Sequence, residues 1–112
     1  MKLPQADKAV VDQEKITGYL LNAAPPDNGG KAAFFQGLGF KPDDWLQLAD
    51  AFRRLAESGE VHNSMATPHG HKYIVDGLVE SPNGKSPVVR TVWIVDMGFD
   101  TPRLVTAYPQ NE

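Results

Sequence analysis

The sequence contains no cysteine, no long apolar run and no excess of positive charge. Without cysteine, disulfide bonds, thiolate zinc sites and cysteine nucleophiles are excluded. No run approaches the roughly 20 apolar residues of a membrane-spanning helix, and the N-terminus lacks a signal-peptide core, so we expect a cytoplasmic protein without membrane contact. The net charge of −3 argues against sequence-independent binding of nucleic acid, which usually depends on a basic excess.

The 112 residues are enough for one hydrophobic core, so the whole chain is expected to form a single domain. A hydrophobic fraction of 41% is typical of globular proteins and too high for a disordered chain. Helical periodicity dominates residues 12–58, and strand-like alternation dominates residues 60–109. This division predicts an α+β fold with three N-terminal helices packed on one face of a four-stranded antiparallel β-meander.

The three predicted helices differ in how clearly they are marked. The first begins after Asp12, a suitable N-cap, and extends to about Asn22. A turn at residues 27–30 precedes a short helix from about Lys31. The third helix extends from Pro42 to Gly59 and has the clearest apolar stripe. The stripe consists of Trp45, Leu48, Ala49, Phe52, Leu55 and Ala56.

Four strands are predicted from the period-two alternation of the second half. They are Val61–Ala66, His71–Val79, Val88–Asp96 and Arg103–Tyr108. The connections carry strong turn signals, including Asn83-Gly84 between the second and third strands. Because such short connections join neighbouring antiparallel strands, a meander is expected.

Turn lengths predict the register of each hairpin, and the register determines which side chains share a face. The predicted cross-strand pairs are Ala66–His71, Ser64–Tyr73, Val79–Val88, Gly77–Arg90, Val75–Val92, Ile94–Leu104, Val92–Thr106 and Arg90–Tyr108. The face expected to meet the helices carries Val61, Met65, Ile74, Leu78, Val89, Thr91, Trp93, Val95, Val105 and Ala107. The other face carries a polar group of His62, Ser64, His71, Tyr73, Arg90, Thr106 and Tyr108.

This polar group combines a guanidinium, imidazoles, phenols and hydroxyls, which are suited to binding and cleaving a phosphodiester. An arginine neutralises charge developing on phosphate, and a histidine or tyrosine transfers the proton of an attacking 2′-hydroxyl. Each residue is also ordinary on a solvated sheet face, where polar cross-strand pairs contribute only about 0.2–1 kcal/mol. The hypothesis therefore depends on the set rather than on any one residue.

Lys31 and the histidines each have a second interpretation. The backbone N–H groups of residues 28–30 could bind an anion, with Lys31 adding charge, or Lys31 could be an ordinary solvated lysine. The spacing lacks a Walker A pattern, so nucleotide hydrolysis is not indicated. His69 and His71 could hold a metal together with His62 or Asp76, but a two-histidine motif that begins in a turn is weak. We therefore predict neither a metal site nor a cofactor.

Four stretches resemble a small bacterial family of uncharacterised domains found in settings similar to toxin systems: LPQADKAVVDQEKITGYLLN, GGKAAFFQGLGF, RTVWIV and PRLVTAYP. The order of helices and strands is similar to that of the barnase–EndoU–colicin–RelE group of metal-independent ribonuclease toxins. This resemblance implies that the matching site residues are Lys31, His71, Arg90, Thr106 and Tyr108.

Two hypotheses from different functional classes follow. In the first, a toxin-like domain cleaves RNA. Arg90 and Lys31 bind phosphate, and His62 and Tyr73 help to bind the substrate. His71 and Tyr108 act as acid and base, and Thr106 orients the scissile group. In the second, a non-catalytic module binds a protein partner, such as a neutralising antitoxin, a neighbouring-gene product or a phage-associated protein, through the same face or a strand edge. A small-molecule site between the second helix and the sheet has no specific support.

Overall fold

The computed structural model of the protein describes residues 1–23 and 29–110. Its helical elements are α1 (Gln13–Lys15), which continues as a π-helical turn (Ile16–Leu20), α2 (Gly29–Gly37) and α3 (Trp45–Ser58). Its strands are β1 (Glu60–Thr67), β2 (Gly70–Leu78), β3 (Val88–Asp96) and β4 (Arg103–Pro109). Within the described residues the strands form an antiparallel sheet in the order β1-β2-β3-β4. The predicted α+β class and the β-meander are confirmed.

The predicted first helix is regular only at its start. The π-helical turn is closed by a bond from Leu21 N to Ile16 O of 2.8 Å. Gly18 lies in this turn, and the low helix propensity of glycine favours such a departure from the α-helix. The predicted turn at residues 27–30 falls largely outside the described residues. Throughout the described chain, every helix is too short or too polar to cross a membrane.

Helix α3 follows a 3₁₀ turn at Pro42–Asp44, close to where the sequence predicts its start. Its buried residues reproduce most of the predicted stripe: Leu48, Ala49, Ala51, Phe52, Leu55 and Ala56. Gly59 ends the helix in an extended conformation, with φ of −74° and ψ of 167°. Glycine is required there because a Cβ atom would lie 2.7 Å from the carbonyl oxygen of Asp76. The close approach of α3 to β2 therefore accounts for this residue.

The hydrophobic core contains residues from both the helical half and the sheet half of the chain. From the sheet it receives Val75, Val89, Trp93, Leu104 and Ala107, and it also contains Val79, the residue after β2. From the helical half it receives Ile16, Leu20, Phe35, Phe40, Leu48, Phe52 and Leu55, among others. We call the sheet side that carries Val75 and Trp93 the core face. The opposite side, which we call the Arg90 face, carries Asp76, Arg90, Thr106 and Tyr108.

The β2–β3 register differs from the prediction by one residue. Asp76 pairs with Arg90, and Gly77 pairs with Val89. The prediction placed a two-residue turn at Asn83-Gly84, whereas Ser81 N bonds to the carbonyl oxygen of Lys85 at 3.1 Å, which leaves residues 82–84 as the loop. Gly84 takes the left-handed conformation, with φ of 86°, as expected in a three-residue hairpin loop.

Neighbouring side chains on a strand point to opposite faces of the sheet. The one-residue shift therefore moves the side chains of β1 and β2 to the face opposite the one predicted, relative to β3. Met65 and Leu78, both predicted on the core face, are 42% and 58% exposed, whereas Val75 is fully buried. The β1–β2 pairs Ser64–Tyr73 and Ala66–His71 are confirmed. A bulge at His62 returns Val61 to the core side of the sheet.

The β3–β4 hairpin follows the predicted register over only part of its length. The pairs Val92–Thr106 and Arg90–Tyr108 are confirmed. Beyond them Leu104 pairs with Trp93 rather than with Ile94, because Val105 is an extra residue in β4. The bulge places Leu104 in the core instead of Val105.

The N-terminal segment covers part of the sheet edges. Beside β4, Leu104 N donates to the carbonyl oxygen of Val10 at 3.0 Å. Beside β1, Val61 N donates to the carbonyl oxygen of Met1 at 2.9 Å. Within the described residues, the remainder of β1, His62–Thr67, has no backbone bond on its outer side. Within the described residues, each outer strand therefore receives backbone bonds from this segment at one end only.

Candidate functional site

Three polar side chains from distant parts of the chain form a closed triangle beside β4. The Nζ atom of Lys31, on α2, donates to the Tyr19 hydroxyl at 2.7 Å and to Thr106 Oγ1 at 3.3 Å. The Tyr19 and Thr106 hydroxyl oxygens are 3.2 Å apart. All three side chains are partly buried. We call this group the Lys31 triangle.

The electrostatic surroundings of the triangle favour the ionised form of the Tyr19 phenol. The hydrogen bonds from Lys31 and Thr106 lower the pKa of Tyr19, and burial opposes them. The Nζ atoms of Lys31 and Lys15 lie 5.1 Å and 5.0 Å from the centre of the Tyr19 ring, and both charges lower the pKa further. A phenolate at this position would be stabilised by two cations.

An arginine–carboxylate pair lies on the same face of the sheet. Arg90 donates from Nε and Nη2 to the two carboxylate oxygens of Asp76, at 2.8 Å and 2.9 Å. The hydrogen bond from Arg90 lowers the pKa of Asp76, with a smaller effect from the charge of His62. Asp76 and, to a lesser degree, Tyr108 raise the pKa of Arg90. The guanidinium therefore remains charged and its plane is held by a bidentate bond.

Cross-strand pairing joins these residues into a polar row. Asp76 on β2 pairs with Arg90 on β3, which pairs with Tyr108 on β4. Thr106 is two residues before Tyr108 on β4, a separation of about 7 Å along an extended strand. The structure thus places three of the predicted site residues on the Arg90 face, namely Arg90, Thr106 and Tyr108, and Lys31 contacts Thr106 from α2.

The structure separates His71 and Tyr73 from this group. They pair with Val95 and Trp93 on β3, and their rings are 4.7 Å apart at their centres. Tyr73 packs against the core. The prediction that they share a face with Arg90 is wrong, because the β2–β3 loop contains three residues rather than two. His62, exposed in the bulge of β1, lies near enough to Asp76 to affect its pKa.

The alternative sites considered from the sequence receive little support. In the described part of the chain, no group of three or more His, Asp or Glu side chains could hold a metal ion. An open hollow of about 460 Å³ lies between α3 and the end of β2, and none of the predicted site residues lines it. Its lining residues are Ala51, Arg54, Glu57, Ser58, Leu78 and Glu80.

Two residues of the site were missed or misinterpreted from the sequence. Tyr19 was not among the predicted site residues, and no local pattern links it to Lys31, 12 residues away. Asp76 was considered only as a metal ligand. Acidic residues are disfavoured within strands, so an aspartate between Val75 and Gly77 could have indicated a cross-strand cation.

Comparison with known proteins places the chain in a family. The family model described as a domain of unknown function, DUF6883, matches residues 2–111. The chain belongs to the DUF6883 family. The expected resemblance to a family of uncharacterised domains is therefore confirmed. No curated protein matches this DUF6883 chain in sequence.

A solved structure shows the same fold as the DUF6883 chain. It is a contact-dependent growth inhibition toxin–immunity protein complex from Klebsiella pneumoniae 342, and one of its chains is similar with a TM-score of 0.75. The two sequences are 21% identical, and the match covers 90% of this chain and 99% of that one. At this identity the likeness establishes the fold.

Proposed function

We propose that this DUF6883 domain is a toxin-type domain that cleaves RNA on its Arg90 face without a metal cofactor. The observation that carries the proposal is that the Lys31 triangle lies on the same face as the Arg90–Tyr108 pair. Two cations, two phenols and a hydroxyl are thus available to a single phosphodiester. The shared fold with a chain of a toxin–immunity protein complex supports a toxin-type role.

The pairing with Asp76 leaves part of Arg90 available to a ligand. Asp76 accepts one hydrogen bond each from Nε and Nη2, and the other guanidinium N–H groups are shared between Tyr108, which also bonds to Arg90, and a phosphate oxygen. Because the bond is bidentate, the guanidinium is oriented before substrate arrives, which reduces the entropic cost of binding. Lys31 contributes a second positive charge beside Thr106. We therefore assign phosphate binding to Arg90 and Lys31, and orientation of the scissile group to Thr106.

The acidic net charge restricts how RNA would be held. With a net charge of −3, binding must depend on the local cations Lys15, Lys31 and Arg90 rather than on the whole surface. Few phosphates would be contacted, so the affinity for RNA should fall only modestly with salt. Selection of a particular RNA would then depend on contacts other than charge.

The test is cleavage of RNA by the purified chain in the presence of a chelator. Wild type is expected to give products with 2′,3′-cyclic phosphate ends, and its expression is expected to arrest growth. Arg90→Ala should reduce the rate about 100-fold or more, the usual effect of removing one donor to a developing charge. Arg103→Ala is the matched control, because Arg103 forms a similar bidentate bond to Asp96 at 2.7 Å and 3.0 Å.

Arg103→Ala should retain activity, since its position on β4 is well before Tyr108. Equal losses in the two variants would indicate general destabilisation and contradict a role for Arg90 in phosphate binding. Intact RNA and normal growth with folded wild-type protein would refute the proposed activity itself.

A second candidate function is binding of a protein partner at the open edge of β1. The outer side of residues 62–67 has no backbone partner within the described chain, and the side chains of residues 62–66 are exposed. Such an edge can accept a strand from another protein. This function predicts a stable complex with a neighbouring-gene product and no RNA turnover, so the same cleavage assay distinguishes the two functions.

A further inference from the structure

The Tyr19 ring packs against the core, and its hydroxyl contacts both Lys31 and Thr106, a residue of the Arg90 face. The Lys31–Tyr19 distance of 2.7 Å is the shortest in the triangle. The sequence-based hypothesis used His71, together with Tyr108, as acid and base. His71 lies on the core face instead. The proposed reaction therefore needs a different group to take the proton of the attacking hydroxyl.

We infer that Tyr19, as a phenolate paired with Lys31, is the catalytic base that removes the proton from the 2′-hydroxyl of RNA. This inference rests on the proposed ribonuclease function and extends it to a residue that the sequence did not indicate. Tyr19 lies in the π-helical turn, a type of distortion that is frequent at functional sites.

The separation between the triangle and Tyr108 suits an in-line displacement at phosphorus. In such a reaction the entering and leaving oxygens lie on opposite sides of the phosphorus atom. Thr106, which contacts Tyr19, and Tyr108, which pairs with Arg90, are about 7 Å apart along β4. A phosphate between them would have Tyr19 on the side of the 2′-oxygen and Tyr108 on the side of the 5′-oxygen.

The step is balanced in atoms and protons. The Tyr19 phenolate accepts the proton of the 2′-hydroxyl, and the 2′-oxygen forms a bond to phosphorus. The bond from phosphorus to the 5′-oxygen breaks, and that oxygen keeps the electron pair and takes a proton from the Tyr108 hydroxyl. The products are a 2′,3′-cyclic phosphate and a 5′-hydroxyl, and proton exchange with water restores both tyrosines.

The groups around Tyr19 favour its phenolate form. Lys31 on α2 donates a hydrogen bond to it, and Lys15 on α1 lies over its ring. Thr106 on β4 adds a neutral donor, and these contacts together lower the pKa of Tyr19. A base with a pKa closer to the working pH is present in its active form more often.

The first test compares Tyr19→Phe with wild type in the RNA cleavage assay over a range of pH. The variant keeps the ring but loses the reacting oxygen, so kcat should fall about 100-fold or more, and the rise of the rate with pH should disappear. Thr17→Val, in the same turn, is the control and should keep wild-type activity, because its hydroxyl only donates to Gln13 O at 3.2 Å.

The second test is a titration of the tyrosines by ultraviolet absorbance, which does not depend on RNA cleavage and whose main result comes from the wild-type protein. Of the 3 tyrosines, one should ionise at a lower pH than the others, and Lys31→Met should raise that pH. Three tyrosines that ionise together would overturn the inference. RNA cleavage by Tyr19→Phe within about twofold of wild type would also overturn it, while leaving the proposed function intact; a wild type that does not cleave RNA refutes both.

Discussion

Thr91 provides the sharpest test of how the sheet is held together. Its side chain is fully buried at the centre of the sheet. The hydroxyl donates to the carbonyl oxygen of Val75 at 2.8 Å and accepts from Trp93 Nε1 at 2.7 Å. Thr91→Val replaces the hydroxyl with a methyl group of similar size, so both partners lose their hydrogen bond in a single substitution.

The expected cost has two parts: the indole N–H of Trp93 is left without a partner, and the carbonyl oxygen of Val75 loses one hydrogen bond but still accepts in the β2–β3 ladder. A buried donor or acceptor that loses its hydrogen bond costs about 1–3 kcal/mol. Trp93 is itself fully buried, so water cannot replace the bond to its indole nitrogen. The added methyl group returns about 0.8 kcal/mol through its burial. With about 0.5–1.5 kcal/mol for the lost bond to Val75, the free energy of unfolding should therefore fall by about 2 kcal/mol.

The assay is urea unfolding followed by circular dichroism. With a denaturant dependence of about 1.5 kcal/mol per molar urea, typical of a small domain, the midpoint should fall by about 1.3 M. Thr91→Ser is the matched control, because it keeps the hydroxyl and loses only a methyl group. It should reduce the free energy of unfolding by about 1 kcal/mol.

The relative stability of Thr91→Val and Thr91→Ser distinguishes hydrogen bonding from methyl packing as the reason for the threonine. If the hydrogen bonds determine the effect, Thr91→Val is less stable than Thr91→Ser. If Thr91→Ser is the less stable variant, or if the two are equal, methyl packing rather than the paired hydroxyl accounts for the threonine, and the reasoning is refuted.

Two further predictions concern the contacts of β2. Asp76→Asn should destabilise the protein at pH 7 by about 1.5–3 kcal/mol, and this difference from wild type should shrink below about pH 4. The pKa of Asp76 is lowered in the folded state, mainly by Arg90, so its stabilisation is present at neutral pH and lost in acid. Urea unfolding of both proteins at pH 7 and below pH 4 tests this. A stability difference between wild type and variant that is unchanged in acid contradicts it. Gly59→Ala should cost about 1–3 kcal/mol by thermal or urea unfolding, because its Cβ would lie 2.7 Å from a backbone oxygen. Gly30→Ala, with nothing within 4 Å of its Cβ, should be neutral or stabilising, and equal effects of the two glycine variants would exclude the steric explanation.

The amino-acid sequence alone determined the number, limits and order of the strands. Alternation of apolar residues places β3 at Val88–Asp96 in both prediction and structure, because a period of two is a property of the local chain. The apolar stripe of α3 was also predicted, because a helical period is likewise a property of the local chain. Short connections then leave a meander as the simple arrangement of neighbouring strands.

The tertiary structure decided which side chains share a face. Asn83-Gly84 is compatible with a two-residue turn and with the three-residue loop that forms, and the two differ by one residue in register. That difference moves His71 away from Arg90 and brings Asp76 beside it. The two-residue turn and the three-residue loop differ little in free energy. Burial of Val75 in the core contributes about 1.5–3 kcal/mol and therefore selects the observed register.

The candidate site depended on tertiary structure even more strongly. Tyr19 and Lys31 reach Thr106 across separations of 87 and 75 residues, and no local periodicity carries such a contact. A sequence specifies the chemistry available at each position through its residue types. Only the packing of the helical segment beside β4 brings a lysine, a phenol and a hydroxyl to hydrogen-bonding distance, because this arrangement is set by burial of distant apolar side chains.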